Sequence, residues 1–361
     1  GDGITDDTDA IQDALSMSYL SAPQVSWRMA TVAIYFPRGE YKVEQSNVLF
    51  SGLAAGSFRL YGDGLGKTTI NYEPTSTTST DYFIDNNDIF GFTTFEHITF
   101  KGTGNVDNWF MNFQNSGSSN VQRLVFNNCQ WTGYVNVIKT SGSAMTSEVT
   151  FRDCKITGFS GTCFQLENEQ GVNWRFYSTD IESFSGIAFD YIHGTSIYYY
   201  QGSLIPSGGT VLNVSTSANP NTSSLNNTPS FTAYGTRFEL RSDAYLVNNP
   251  RFGFTFVASF NECGMGGYNL SDQSVGHACI YFRDKTTLYF NRCYNLENYR
   301  VETSADNSTS AGNPSKLVFT DSSIDVQSLA YDSKDRKTSV NNSAAYPVFI
   351  ENDGSTTTHY T

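Results

Sequence analysis

Charge is scarce in this 361-residue chain: Asp, Glu, Lys and Arg make up 16% of it, against roughly 25% in ordinary globular domains. What charge there is runs acidic, with 22 Lys+Arg against 35 Asp+Glu and a net −13. A nucleic-acid partner needs Lys and Arg patches on its reader, so that class of function is excluded. Long apolar runs are missing too. None approaches the ~18 residues of a membrane span, so no membrane insertion is expected. Disorder is excluded by what replaces the charge: aromatics reach 15% of the chain, and Ser, Thr, Asn and Gly supply most of the polarity. The same composition argues against helices, because those four residues form them poorly while Tyr and Phe suit strands. A chain of this length buries about three quarters of its unfolded surface, enough for one large β domain.

Cysteine is sparse as well. Cys129, Cys154, Cys163, Cys263, Cys279 and Cys293 contain no CxxC pair and have no histidine at metal-ligand spacing, so neither a zinc site nor a disulfide scaffold is expected. Nothing calls for a metal or an organic cofactor.

What the chain has instead is a repeat. An aromatic residue, two polar positions, a small residue, one polar position and an apolar residue recur as Phe95–Phe100, Phe126–Trp131, Phe151–Ile156 and Phe176–Ile181. Weaker copies follow at Tyr200–Ile205 and Ala233–Phe238, then Phe260–Met265, Phe290–Asn295 and Phe319–Ile324. Successive starts lie 31, 25, 25, 24, 33, 27, 30 and 29 residues apart, a period that fits a solenoid of stacked β coils. Strand side chains alternate in and out, so the aromatic that starts each copy stacks inside the solenoid and the two polar positions turn a corner. The small residue points inward again. Cys129, Cys154, Cys263 and Cys293 all occupy that place, which predicts a ladder of small buried side chains and no disulfides.

The first segment differs. Gly1–Leu15 reads as a tight turn followed by an amphipathic helix, with Thr5 as N-cap, Asp6, Asp7 and Asp9 complementing the helix dipole, and Ile11, Ala14 and Leu15 as its buried stripe. Such a helix shields the open end of a solenoid. Gly62–Thr68 is glycine-rich, but Tyr61 stands where a phosphate loop needs its first glycine, so a turn between coils is expected there.

GDGITDDTDAIQDAL at the start, with IYFPRGEYKV and LYGDGLGKTTI after it, resembles the opening of the pectate-lyase-like right-handed parallel β-helix superfamily. Within it the chain looks most like bacteriophage tailspike polysaccharide depolymerases. That resemblance implies an all-β right-handed parallel β-helix with an N-terminal capping helix, working as a homotrimer on the virion tail and cutting bacterial capsule or O-antigen. The expected organisation is a capping helix and opening loop over 1–30, the β-helix over 31–330 and a closing segment over 331–361. The chain opens directly on the motif, which reads as a piece of something longer.

A packed interior leaves catalysis to outward residues. The places four and six after each repeat start flank an inward residue and face solvent; most coils put neutral groups there. Asp180 and Glu182 break that rule, as do Arg237 and Glu239, with Lys155 one coil before the first pair and Leu204 and Pro206 on the coil between. Two coils separate Glu182 from Glu239 by roughly 10 Å at the backbone, near the roughly 6.5–9.5 Å carboxyl spacing of an inverting glycosidase. Glu182, Glu239 and Asp180 are therefore the first candidates for acid and base. Arg237 and Arg241 are candidates to fork onto an acidic or hydroxyl-rich sugar, and Tyr177, Tyr198, Tyr199 and Tyr234 to offer it ring faces. The plain alternative for the charges is cross-coil salt bridges of little energetic weight. The insertion at Ala218–Ser230 reads as a surface loop walling a groove.

A second cluster lies on the following face: Glu167, Glu169, Asp190 and His193, with Glu167 and Asp190 at similar places in adjacent coils. His97, His277 and His359 read as surface residues. Three functions fit this constellation: glycosidic hydrolysis by paired carboxylates, lyase chemistry by β-elimination on the same fold, and glycan binding without cleavage.

Overall fold

A left-handed backbone residue recurs once per coil and organises the molecule. The computed structural model describes residues 1–21, 32–50, 57–75, 81–86, 92–104, 108–115, 120–142, 145–168, 171–218, 229–241, 244–251, 253–268, 280–282, 285–295, 301–303, 316–322, 348–352 and 356–360, with Leu53. One coil shows the plan: strand Gly171–Tyr177, a corner, strand Asp180–Phe184, a bend, strand Ile187–Tyr191. Strands pair in parallel with their counterparts in neighbouring coils, which builds three long sheets beside a two-stranded one formed by Asn120–Gln122 and Met145–Ser147; only the last pair, Val348–Asn352 with Thr356–Tyr360, runs antiparallel among the described residues. Among the described residues the three long sheets hold 13, 10 and 9 strands; they are called first, second and third in the order in which that coil visits them. This is the all-β parallel β-helix expected from the repeat.

The corner between first and second sheets falls on the second polar position of the repeat. His97, Asn128, Asp153, Ser178, Gln201, Gly235, Glu262, Arg292 and Asp321 all have φ between 46° and 62° there. The bend turns the corner amide to the next coil: Asn128 donates to the Arg152 carbonyl at 2.8 Å, Asp153 to Tyr177 at 2.9 Å and Ser178 to Tyr200 at 2.9 Å. L-residues pay a steric penalty in this conformation, and only these hydrogen bonds and the flanking strands hold it.

Just beyond the corner sits the small inward residue. Cys129, Cys154, Cys263 and Cys293 are buried and free, as the repeat predicts. Their common feature is a donor at short reach. Cys154 Sγ approaches the Arg152 and Phe126 carbonyls at 3.2 and 3.5 Å; Thr179, Thr236 and Ser322 make the same contact with hydroxyls. From Cys129 onward most coils fill the position with a small side chain that satisfies corner carbonyls, while the first copy has the buried Ile98 there.

Inside, rings stack coil on coil: Phe95 on Phe126 at 5.1 Å, Phe126 on Phe151 at 4.9 Å, Phe151 on Phe176 at 4.7 Å, Phe176 on Tyr199 at 5.3 Å. Each buried ring contributes about 1.5–3 kcal/mol by burial, and each pair about 0.5–1.5 kcal/mol more. The column breaks at Ala233, where Phe231 from the same strand supplies the ring instead, before Phe260, Phe290 and Phe319 resume it.

Three expectations are corrected. The fifth copy starts at Tyr199, which pairs with Phe176 and is buried, with its hydroxyl donated to the Thr179 and Ser203 carbonyls; Tyr199 offers no face to a ligand. The outward places of that coil are therefore Ser203 and Ile205 in place of Leu204 and Pro206. At the N-terminus, Asp2–Asp6 is a strand on the edge of the second sheet, and the helix runs Thr8–Ser21. Thr5 is not its cap: the Asp6 carboxylate takes the Thr8 amide. Ile11 and Leu15 do enter the core, so the helix covers the open end as expected. Gly62–Thr68 is a turn leading into the strand Thr68–Tyr72. Among the described residues, no helix is long and apolar enough to cross a membrane.

Asp153 is exposed and makes its corner contact through the backbone, so its side chain tests the bend alone. Asp153→Val is expected to lower unfolding free energy by about 1–2 kcal/mol, and Asp153→Gly to leave it no lower than wild type, in urea titrations. Equal values for the two variants would remove the corner's steric basis.

Candidate functional site

Outward side chains form straight rows along the solenoid, because each coil repeats its predecessor's register. Two adjacent rows on the second sheet and one on the third carry chemistry.

On the second sheet, Lys155, Asp180, Ser203, Arg237 and Gly264 share one row, and Thr157, Glu182 and Ile205 the row beside it. The structure brings Asp180 and Glu182 together through a residue that sequence reading missed: Ser203 Oγ lies 2.7 Å from Asp180 Oδ1 and 2.7 Å from Glu182 Oε1. A serine hydroxyl has one proton to donate, so it serves the two carboxylates in turn. Lys155 holds the other Glu182 oxygen at 3.3 Å. Ser203 and Ile205 are buried although they face outward.

Glu239 departs from expectation. It faces outward but is 5% exposed, and both oxygens are taken: one by the Arg237 guanidinium, the other by Arg241 at 2.8 Å. The arginines stand two residues either side of it on the strand Arg237–Arg241, so all three side chains share one face. Glu182 and Glu239 stand two coils apart with Ile205 between them, and each carboxylate oxygen of the pair has a hydrogen-bonding or ionic partner.

Around the corner, Tyr177, Tyr200 and Tyr234 stack on one another at 5.1 and 5.5 Å, within 9° of parallel, with the Arg152 guanidinium over Tyr177. Tyr200 is covered on both faces, while Tyr234 closes the stack with one face on Tyr200 and is 44% exposed. Tyr198 lies on the row beside them, between Arg175 and Thr232.

On the third sheet the outward row runs Lys139, Gln165, Asp190, Asn213, Asn248. Its inward neighbours Phe189 and Tyr191 are fully buried. Asn213 Nδ2 donates to Asp190 Oδ1 at 2.7 Å and Asn248 Nδ2 to Asn213 Oδ1 at 2.7 Å, a ladder that fixes the carboxyl's orientation. Burial raises the Asp190 pKa to about 6, with the Asn213 amide pulling the other way. Leu166 pairs with Tyr191, so Glu167 stands one coil before Asp190 and two residues further along. That diagonal corresponds to roughly 8 Å between backbones. His193 follows the same strand and anchors its amide on the Leu166 carbonyl at 3.1 Å. Glu169, His277 and Cys279, and most of the insertion at 218–230, lie outside the described residues; of the strand residue His359 only the backbone is described.

Chemically, the third-sheet row offers a carboxyl that is half protonated near pH 6, with Glu167 on the neighbouring coil just past the end of the strand Thr162–Leu166. The signal that marks Asp190 is burial in a polar row, which periodicity does not reveal.

A family model described as rhamnogalacturonase A/epimerase, pectate lyase-like matches residues 1–201. Among solved structures, the A-module of mannuronan C-5 epimerase AlgE4 from Azotobacter vinelandii superposes with a TM-score of 0.51 at 14% identity, covering 90% of this chain and 92% of that one. The catalytic unit of the GH87 α-1,3-glucanase from Streptomyces thermodiastaticus strain HF3-3 gives 0.50 at 13% identity, covering 90% of this chain and 61% of the glucanase. ORF18 of Geobacillus virus E2 gives 0.44 at 15% identity, and this chain spans 59% of its length. At these identities the likeness is one of fold. No curated protein matches the sequence.

Asp190 also makes a stability prediction. Its folded pKa of about 6 lies above the ordinary 3.8, so the protonated form is the one the fold favours. That contribution is full below pH ~4 and lost as pH rises to ~6, on the order of 3 kcal/mol. Asp190→Asn is expected to unfold at higher temperature than wild type at pH 8 and at the same temperature at pH 4. A variant less stable at pH 8 would contradict the buried-carboxyl assignment.

Proposed function

The chain belongs to the rhamnogalacturonase A/epimerase, pectate-lyase-like family, and from that premise we propose that it acts on a polysaccharide, hydrolysing glycosidic bonds on the outward row of the third sheet. The observation that carries this reading is Asp190: an oriented, half-buried carboxyl whose proton affinity burial raises to a pKa of about 6. A general acid needs that property to protonate a leaving oxygen near neutral pH. Glu167, one coil away on the diagonal position, is the base assigned to activate water, as an inverting mechanism requires.

In this reading the first-choice carboxylates take other parts. Asp180 and Glu182 are engaged by Ser203 and Lys155, and Glu239 by two arginines. A finer assignment, to a phage tailspike-type depolymerase that works as a homotrimer on bacterial capsule or O-antigen at the virion tail, is supported by the likeness of the opening motif and first coils.

Reducing ends released from a panel of bacterial surface polysaccharides measure the activity. Asp190→Asn and Glu167→Gln are each expected to lower turnover ~10²–10⁴-fold. Wild-type activity should fall as pH rises above ~6, where Asp190 loses its proton. Undiminished turnover in both variants would defeat the site. Products that absorb in the ultraviolet as unsaturated uronates would replace hydrolysis with β-elimination, and binding with unchanged chain length would replace it with adhesion.

A further inference from the structure

On the second sheet, away from the acid row, Arg237 and Arg241 are fixed as a pair. Glu239 lies buried between them and accepts one N–H group from each, while the arginine side chains remain 63% and 48% exposed. Among the described residues neither guanidinium has another acceptor, so the remaining N–H donors of both face outward. A carboxylate buried on an outward face is costly unless paired. Its effect here is to draw in two forks from backbone positions about 13 Å apart along the strand and hold them on either side of one carboxylate. The trio keeps a net positive charge on a chain of net −13, so an anion is drawn to this spot.

A second observation gives that anion a companion surface. The next coil places Gly264 beside Arg237. A Cβ on Gly264 would come within 2.8 Å of the Tyr294 hydroxyl oxygen and 3.0 Å of its ring. The phenol of Tyr294 therefore lies across the glycine, one rung from Arg237, and Tyr294 is 54% exposed. Only glycine admits it there.

We propose that Arg237 and Arg241, held by Glu239 beside the Tyr294 ring over Gly264, form a binding site for a uronic-acid unit of a glycan, separate from the hydrolytic row. The planar sugar carboxylate takes parallel N–H bonds from a guanidinium fork, and the apolar C–H face of the ring lies on the phenol. The site stands on a different sheet from Asp190 and Glu167 and does not depend on their roles.

Binding is measured by calorimetry in the Asp190→Asn background, where turnover does not confuse it, with oligogalacturonate, oligomannuronate and oligoglucuronate and the carboxyl-reduced counterpart of each. At least one uronate oligomer is expected to bind at least ~10-fold more tightly than its reduced counterpart, with affinity falling as salt rises. Replacing both arginines by glutamine strands the buried Glu239, so the informative variants are R237K/R241K, which keeps the charges without the forks, and R237Q/E239Q/R241Q, which removes the trio together. Both are expected to lose at least ~10-fold in affinity, and Gly264→Ala to weaken binding by displacing Tyr294. Full affinity in R237K/R241K, equal binding of the reduced oligomers, or no binding of any of the three uronates overturns the proposal.

Discussion

The whole molecule depends on one backbone event, repeated: a residue forced into the left-handed region whose amide hydrogen reaches the carbonyl of the next coil. Nine described coils make this bend at the same place. Because the bend is in register from coil to coil, the strands on both sides of it are in register too. Everything else then lines up without further instruction: rings over rings in the core, small donors under the corner carbonyls, and outward side chains in straight rows. A parallel sheet has no local hairpin to set its register; here the corner does that work.

Rows have a chemical consequence. Residues far apart in sequence become neighbours one coil apart, and function follows from which types meet. Lys155, Asp180, Ser203 and Arg237 fall on a single line, as do Gln165, Asp190, Asn213 and Asn248. The amide ladder next to Asp190 and the arginine clamp on Glu239 are two uses of the same geometry. The first fixes a carboxyl in a half-buried setting where it keeps a proton. The second commits a carboxylate fully and leaves two cations in place.

Much of the fold was legible in the sequence, because the aromatic-to-small repeat is the corner itself. The cysteines at its small position and the capping role of Ile11 and Leu15 followed from spacing alone. The misplacement at Tyr199 has a plain cause: Tyr198, Tyr199 and Tyr200 are consecutive and identical, so alternation gives no parity, and only pairing with Phe176 settles which one points inward. The candidate sites were less legible. Alternation says that Glu239 and Asp190 face outward, and both do, but it says nothing about what lies over them. Burial of Glu239 between its own strand's arginines, and the burial that raises Asp190, are properties of packing around a position. Ser203 went unnoticed because an isolated serine has no signal until it stands between two acids.

The corner has one more consequence. Its geometry is imposed on the main chain, and the side chains there project away from the solenoid. His, Asn, Asp, Ser, Gln, Gly, Glu and Arg all occupy it in turn. The edge is thus a display rail, with pegs one coil apart whose chemical labels are exchangeable while the scaffold stays constant. Substitutions along this rail therefore alter what the surface presents and leave the stacked core untouched.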